Sequence, residues 1–122
     1  MAKKILIIED DKFLRRVISR KLSGEGYEII EALDGEKGLK SAQEDRPDLI
    51  LLDLILPGID GFEALARIKK DPAIANIPVI ILSNLGQKED IDKGMKMGAT
   101  DYLIKAHFTP GEITARIEKI LK

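Results

Sequence analysis

Side chains that can bind a cation or a phosphate group stand at the ends of four apolar runs in this sequence. Glu9 and Asp10 close one run, and Asp53, Ser83 and Lys105 close the others. A run that is apolar at successive positions is typical of a strand covered on both faces in a parallel sheet. In open α/β sheets, ligands bind at the edge formed by the carboxyl ends of the strands. We therefore predict that these five side chains lie together on one edge of a sheet.

The chemistry that suits this set is phosphoryl transfer assisted by a cation. Three carboxylates held close together repel one another, and a single lysine cannot neutralise them all. Oxygen ligands without histidine or cysteine favour a hard cation, which points to Mg²⁺. The cation, Lys105 and Ser83 could each stabilise one equatorial oxygen of a transferring phosphoryl group. Asp53 would be the nucleophile, giving an aspartyl phosphate.

Each of these residues also has an ordinary structural interpretation when it is considered alone. The acidic residues could cap a helix, Ser83 could form a turn, and Lys105 could end a strand in solvent. Their joint placement at four strand ends is what favours a functional site.

The elements that would carry these residues follow from hydrophobic periodicity and from helix start and stop signals. Asp11, Asp34 and the Thr109-Pro110 pair mark three predicted helix starts. Strict alternation of strands and helices predicts a parallel sheet with helices on both faces and right-handed crossovers. We predict strands at 5–8, 27–32, 48–53, 78–83 and 101–105, and helices at 12–23, 36–45, 61–70, 88–97 and 110–121.

The fold class predicted from this tally is α/β. We expect a flavodoxin-like (βα)5 three-layer sandwich with a parallel five-stranded sheet of order 2-1-3-4-5. That order sets the ends of strands 1 and 3 side by side, where Asp10 and Asp53 stand.

Composition predicts one water-soluble domain. The chain has 122 residues, 44% of them hydrophobic and 34% charged, a net charge of −1 and no cysteine. These values exclude a disulfide framework, a thiolate metal site and a strongly basic nucleic-acid surface. The apolar run after the first four residues is too short for a signal peptide or a membrane span. We expect a single domain over residues 1–122 with no output domain, located in the cytoplasm, without membrane or direct nucleic-acid binding.

The sequence resembles the receiver domains of bacterial two-component response regulators along essentially its whole length, in particular the single-domain, chemotaxis-type members. This resemblance implies that Asp53 accepts a phosphoryl group from a sensor histidine kinase or a histidine phosphotransfer protein. The protein would then be a phosphorylation-activated signalling switch that acts on a protein target, which is unknown. The segments that carry the resemblance are Ile-Ile-Glu-Asp-Asp at 7–11, Asp-Leu-Ile-Leu-Pro-Gly-Ile-Asp-Gly at 53–61, Ile-Leu-Ser at 81–83, Gly-Ala-Thr-Asp-Tyr at 98–102 and Ile-Lys at 104–105.

The resemblance also implies a metal site. Asp10 and Asp53 would bind Mg²⁺ together with the backbone carbonyl of Ile55, and Glu9 would reach the metal through water. A protein of this kind catalyses its own phosphorylation and dephosphorylation, but it is a signalling protein rather than a turnover enzyme. It would be a monomer or a phosphorylation-dependent dimer.

The remaining roles implied by the resemblance concern the switch. Lys105 would pair with the phosphoryl group, Ser83 would be the switch hydroxyl and Tyr102 the switch aromatic residue. A phosphoryl group adds charge and acceptor oxygens, which can draw Ser83 inward. Tyr102 could then rotate from exposed to buried and change the face made by helix 4, strand 5 and helix 5. A half-buried sheet residue is the alternative interpretation of Tyr102, and the sequence leaves both open.

Four positions depart from the usual pattern of the family. Ala106 replaces a proline whose preceding bond is cis, so the Lys105 loop either keeps a cis bond, at about 3 kcal/mol, or is trans and differently shaped. Asn84 replaces a very small residue, and would narrow the pocket or add a hydrogen bond to the phosphoryl group. Ile55 and Leu85 are apolar where polar residues can orient hydrolytic water, which predicts slow self-dephosphorylation.

Two enzyme-like alternatives fit the sequence poorly. A haloacid-dehalogenase-type phosphatase needs a second aspartate two residues after Asp53, where Ile55 stands. A flavodoxin needs a phosphate loop rich in glycine and hydroxyl groups, whereas the three acidic residues at 9–11 would repel phosphate. The alternative that stays open is a receiver-like protein-interaction module with weak or absent phosphorylation.

The start of helix 1 is the predicted surface for the kinase. Phe13, Leu14 and Val17 recur at helical spacing but cannot all face the core. An apolar residue left exposed there would be available to a partner.

Overall fold

The computed structural model describes residues 2–122 as one parallel sheet covered by helices. Its strand order is β2-β1-β3-β4-β5, so the predicted flavodoxin-like fold is confirmed. The strands are β1 Lys4–Ile8, β2 Glu28–Ala32, β3 Leu49–Leu52, β4 Val79–Ser83 and β5 Asp101–Ile104. The helices are α1 Lys12–Gly24, α2 Gly35–Asp45, α3 Gly61–Lys70, α4 Lys88–Lys96 and α5 Pro110–Leu121.

The predicted bounds are correct to within one or two residues, and one element was missed. A 3₁₀ helix at Lys105–His107 follows β5 directly. It falls where the sequence predicts the last residue of a strand and the start of a loop. Three residues leave no hydrophobic period to detect, so the sequence carries no signal for it.

The sheet divides the core into two layers of helices, as a three-layer sandwich requires. Side chains alternate across each strand, so neighbouring residues of β1 enter opposite layers. Helices α2 and α3 cover Leu6 and Ile8, whereas α1 and α5 cover Ile5 and Ile7. Both faces are therefore apolar, which explains why β1, β3 and β4 read as unbroken apolar runs.

The register of the central strands brings their carboxyl ends level. Ile8 of β1 pairs with Leu52 of β3, which in turn pairs with Ile81 of β4. The next residue after β3 is tied to β1, because the N–H of Asp53 donates to the Ile8 carbonyl at 3.0 Å. Glu9 and Asp53 consequently leave the sheet as neighbours.

The predicted helix caps are present. Asp11, Asp34 and Thr109 each accept a hydrogen bond from the backbone N–H three residues on. Thr109 and Glu112 form a reciprocal capping box, with distances of 3.1 and 2.9 Å. Asp60 caps α3 in the same manner, a role that was not predicted. Among residues 2–122, no helix combines the length and apolarity needed to cross a membrane.

Helix α4 lacks the side-chain cap and the buried apolar residues that fix the other helices. Its N-cap, Gln87, makes no side-chain capping bond, and Gly94 is the single buried residue of the helix. A Cβ atom on Gly94 would lie 2.7 Å from Ile81 Cδ1 and 3.2 Å from Tyr102 Cδ2. Glycine is therefore what allows α4 to approach the sheet beside Tyr102.

Candidate functional site

The predicted acidic residues and the lysine meet in one pocket at the carboxyl edge of the sheet. The pocket has a volume of about 250 Å³. Ser83 does not line it; this residue is fully buried at the end of β4. The lining residues are Glu9, Asp10, Asp11, Asp53, Ile55, Asn84 and Lys105.

Three carboxylates in this pocket are close enough to share a cation. Glu9, Asp10 and Asp53 each offer an oxygen, and these oxygens lie within 4.8 Å of one another. Glu9 and Asp53 are buried, with 3% and 4% of their surfaces exposed, whereas Asp10 is exposed. An oxygen-only donor set that opens onto a solvent-accessible pocket suits Mg²⁺, which keeps several water ligands. The residues present therefore fit this metal.

Ile55 occupies the rim of the pocket. Its N–H donates to Asp53 Oδ1 at 3.3 Å, and 58% of the residue is exposed. The hydrogen bond orients Oδ1 of Asp53, while Oδ2 accepts a hydrogen bond from Lys105. The apolar side chain of Ile55 itself cannot hydrogen-bond a water molecule.

Lys105 bridges the two buried carboxylates. Its Nζ lies 2.8 Å from Asp53 Oδ2 and 2.7 Å from Glu9 Oε1. Burial alone would lower the pKa of Lys105, but the hydrogen bonds to Asp53 and Glu9 outweigh it, and the pKa is raised above its ordinary value. The amine is therefore a permanent positive charge against the predicted nucleophile.

Every peptide bond among residues 2–122 is trans, including the one between Lys105 and Ala106. Of the two conformations predicted for the Lys105 loop, the trans form is therefore the one present.

Burial dominates the protonation of Glu9. It raises the pKa of Glu9 to about 7, although hydrogen bonds from Lys105 and from the N–H of Asp11 oppose the rise. The Asp11 N–H donates to Glu9 Oε2 at 3.0 Å. A cation in the pocket would favour the ionised form of this carboxylate.

A hydrogen-bonded chain connects Ser83 to Tyr102. The N–H of Leu85 donates to Ser83 Oγ at 3.3 Å, and the Tyr102 hydroxyl donates to the Leu85 carbonyl. Tyr102 is half-buried against α4, and burial, followed by the charges of Asp90 and Asp53, raises its pKa to about 12. Half-burial is the state of Tyr102 in this structure, and its role as a switch stays a prediction. Backbone hydrogen bonds leave no trace in residue types, which is why the linking role of Leu85 was missed.

Comparison with known proteins assigns the family. The response regulator receiver domain family matches residues 5–118. RpaA of Synechocystis, a DNA-binding dual master transcriptional regulator, is 43% identical over 119 residues, which are 98% of this chain and 49% of RpaA.

Solved structures give the same result. A CheY-like response regulator receiver domain protein from Methanospirillum hungatei superposes with a TM-score of 0.91 at 26% identity, covering 99% of this chain and 94% of that one. The phosphorylated cyanobacterial phytochrome response regulator RcpA superposes with a TM-score of 0.83 at 33% identity, covering 98% and 91%.

This chain therefore belongs to the response regulator receiver domain family, the phosphorylation-activated switches of two-component systems. The predicted family is confirmed, and the acidic cluster of Glu9, Asp10 and Asp53 fits the phosphorylation site of such domains. The chain spans about half the length of the curated relatives it matches.

Proposed function

We propose that Asp53 is the phosphoacceptor of this receiver domain. A phosphohistidine of a sensor histidine kinase or histidine phosphotransfer protein would be the donor. An Asp53 oxygen forms the new P–O bond as the P–N bond breaks, and the histidine nitrogen keeps the electron pair. The observation that carries this assignment is the position of Asp53, which is 4% exposed, lines the pocket and lies 2.8 Å from Lys105 Nζ.

Mg²⁺ is the cofactor that we propose for this transfer. Asp10 and Asp53, with the backbone carbonyl of Ile55, would hold it, and Glu9 would contact it through water. The metal supplies charge neutralisation to phosphoryl oxygens. The carboxylates would hold it beside the nucleophile.

Lys105 and Ser83 complete the site. Lys105 already contacts Asp53, so its ammonium would follow the phosphoryl oxygens as negative charge moves onto them. Ser83 is buried next to the pocket and would donate its hydroxyl proton to a phosphoryl oxygen. This new hydrogen bond would move Ser83 Oγ, which in this structure accepts a hydrogen bond from the Leu85 N–H at 3.3 Å. Leu85 would therefore be displaced together with Ser83.

The change at Ser83 would reach the surface through Tyr102. Leu85 bonds Ser83 through its N–H and Tyr102 through its carbonyl, so a shift of Ser83 displaces both partners. Tyr102 packs against Gly94 of α4, the helix with the least anchoring. The output would be a change in the face made by α4, β5 and α5, read by a protein target. We propose that the chain works as a signalling protein and not as a turnover enzyme, in monomeric or phosphorylation-dependent dimeric form.

The kinase-facing surface that we propose is the outer face of α1. Phe13 is 78% exposed, whereas Leu14 packs towards the core formed with α5. A groove of about 410 Å³ surrounds Phe13 and is bordered by basic side chains. Phe13 is therefore a better probe of docking than Leu14, whose truncation would also disturb the core. The groove is lined by Lys12, Phe13, Arg16, Val17 and Arg20.

Intact mass spectrometry after incubation with acetyl phosphate and Mg²⁺ tests the assignment. We expect a single phosphoryl adduct that requires Mg²⁺ and is absent from Asp53→Asn. An adduct that persists in Asp53→Asn would place the phosphoacceptor elsewhere. If no adduct forms and beryllofluoride also fails to bind, the alternative of an interaction module with weak or absent phosphorylation replaces this proposal.

A further inference from the structure

Arg15 of α1 lies against the backbone of the acidic cluster. Only 11% of its side chain is exposed, although its sequence neighbour Arg16 is exposed. Its Nη1 donates to the Glu9 carbonyl at 3.0 Å, and its Nε donates to Glu31 Oε1 at 2.9 Å. The guanidinium therefore joins the end of β2 to the peptide that links Glu9 to Asp10.

The peptide between Glu9 and Asp10 decides where Asp10 points. Asp10 is exposed, and neither its side chain nor its N–H hydrogen bonds to another residue in the described part of the chain. The backbone alone therefore fixes the direction in which the Asp10 side chain leaves the chain. Two hydrogen bonds hold that backbone. The Glu9 N–H donates to the Ala32 carbonyl at 3.1 Å, and the Glu9 carbonyl accepts from Arg15.

We propose that Arg15 is a positioning residue for cation binding, acting through the Glu9 carbonyl on the orientation of Asp10. The inference rests on the proposed Mg²⁺ site. Arginine suits this role because its planar fork can meet two acceptors in fixed directions, which the point charge of lysine cannot. Groups that orient metal ligands typically contribute 10- to 100-fold to metal affinity.

The charge of Arg15 and its hydrogen bonds predict opposite changes in Mg²⁺ affinity when the residue is replaced. A cation near the cluster repels Mg²⁺, so a purely electrostatic role means that removing Arg15 tightens binding. A purely structural role lowers stability but leaves the affinity of the folded protein unchanged. Positioning alone predicts weaker binding.

The test is a Mg²⁺ titration at constant ionic strength, followed by the amide resonances of Asp10 and Asp53 in ¹H–¹⁵N spectra. We expect Arg15→Gln to raise the Kd for Mg²⁺ about tenfold. Arg16→Gln, which removes the same charge from an exposed site, should change it less than about twofold. Thermal unfolding of each variant identifies the temperature range in which it is folded.

Two further variants keep the test informative if Arg15→Gln does not fold. Arg15→Lys retains the charge and should still weaken binding, because lysine cannot meet Glu9 and Glu31 together. Glu31→Gln leaves the contact to Glu9 but loosens its anchor, and should weaken binding to a smaller extent.

The outcomes separate this inference from the proposed function. Unchanged or tighter Mg²⁺ binding in Arg15→Gln and Arg15→Lys, with a normal wild-type titration, would overturn the role of Arg15 only. Absence of saturable shifts in the wild type would overturn the metal site together with the inference.

Discussion

At the scale of single residues, the site keeps more negative charge than its one lysine can balance. Lys105 contacts Asp53 and Glu9, while Asp10 has no cationic partner within the described residues. Burial raises the pKa of Glu9 to about 7, because a buried site disfavours the charged form of this carboxyl group. An arrangement that is unfavourable without a cation is expected at a functional site.

Ile55 gives a residue-scale prediction about the lifetime of the phosphorylated form. Its apolar side chain lines the pocket, while Leu85, the other residue invoked for slow dephosphorylation, does not. We expect Ile55→Asn to hydrolyse its phosphoryl group several-fold faster than the wild type, because an amide can orient the attacking water. The decay of the mass adduct after removal of acetyl phosphate measures both rates.

Ile55→Val is the matched control, since it changes volume without adding a polar group. A wild-type adduct that decays within seconds would contradict the expected slow self-dephosphorylation. Equal decay in the Asn and Val variants would show that the rim residue does not control the water.

At the scale of elements, the helices differ in how firmly they are anchored. Helix α5 begins with a capping box and buries Ile113 and Ile117, whereas α4 has no side-chain cap and buries only Gly94. A weakly anchored helix needs little free energy to shift. Both helices flank β5, so we expect α4 to move more readily than α5 when the domain is phosphorylated.

The capping box supplies the element-scale prediction. Thr109→Ala should lower the free energy of unfolding by about 1 kcal/mol, because the Glu112 N–H loses its acceptor. Hydrogen bonds from Thr109 also lower the pKa of Glu112 below its ordinary value of 4.5. The ionised Glu112 therefore contributes stability above that value, and the contribution is lost as the pH falls through the lowered pKa.

Urea unfolding at neutral pH and at pH 3 measures this difference. Thr100→Ala, at an exposed threonine outside the helices, is the control and should have little effect. The destabilisation caused by Thr109→Ala should be smaller at pH 3, and an equal loss at both values would argue against the capping box.

At the scale of the whole molecule, the sheet separates α1, the proposed docking helix, from α4, the helix that we expect to move. Helix α1 belongs to the layer that contains α5, and α4 packs on the opposite face, beside Ile81 and Tyr102. The pocket lies at the edge between the two layers. A partner on α1 could therefore approach Asp53 without covering α4.

Phe13 tests this division. We expect Phe13→Ala to slow phosphotransfer from a phosphorylated histidine phosphotransfer domain about tenfold, since burying a Phe side chain contributes roughly 1.5–3 kcal/mol. The rate with acetyl phosphate, which needs no docking surface, should stay unchanged. Met95→Ala is the control, because Met95 is also an exposed apolar residue but lies on α4, away from the proposed docking helix. Slower reaction with both donors would indicate damage to the site instead of lost docking.

The sequence by itself determined the order of elements, the parallel sheet and the residues that gather at its edge. These follow from local rules: apolar runs mark buried strands, and strand ends in a parallel sheet share one edge. Asp10, Asp53 and Lys105 could be placed together on that basis before any distance was known. The roles carried over from the family resemblance stay predictions for all seven site residues, namely Glu9, Asp10, Asp53, Ile55, Ser83, Tyr102 and Lys105.

Only the tertiary structure decided how the side chains around the site are held. The trans loop after Lys105, the link from Ser83 to Tyr102 through Leu85, and the contact of Arg15 with the Glu9 carbonyl all depend on backbone groups. Every residue type carries the same backbone N–H and C=O apart from proline, so their pairing leaves no pattern in the sequence. Burial acts in the same way, because Glu9 and Asp10 are similar carboxylates whose different exposure arises only when the chain packs.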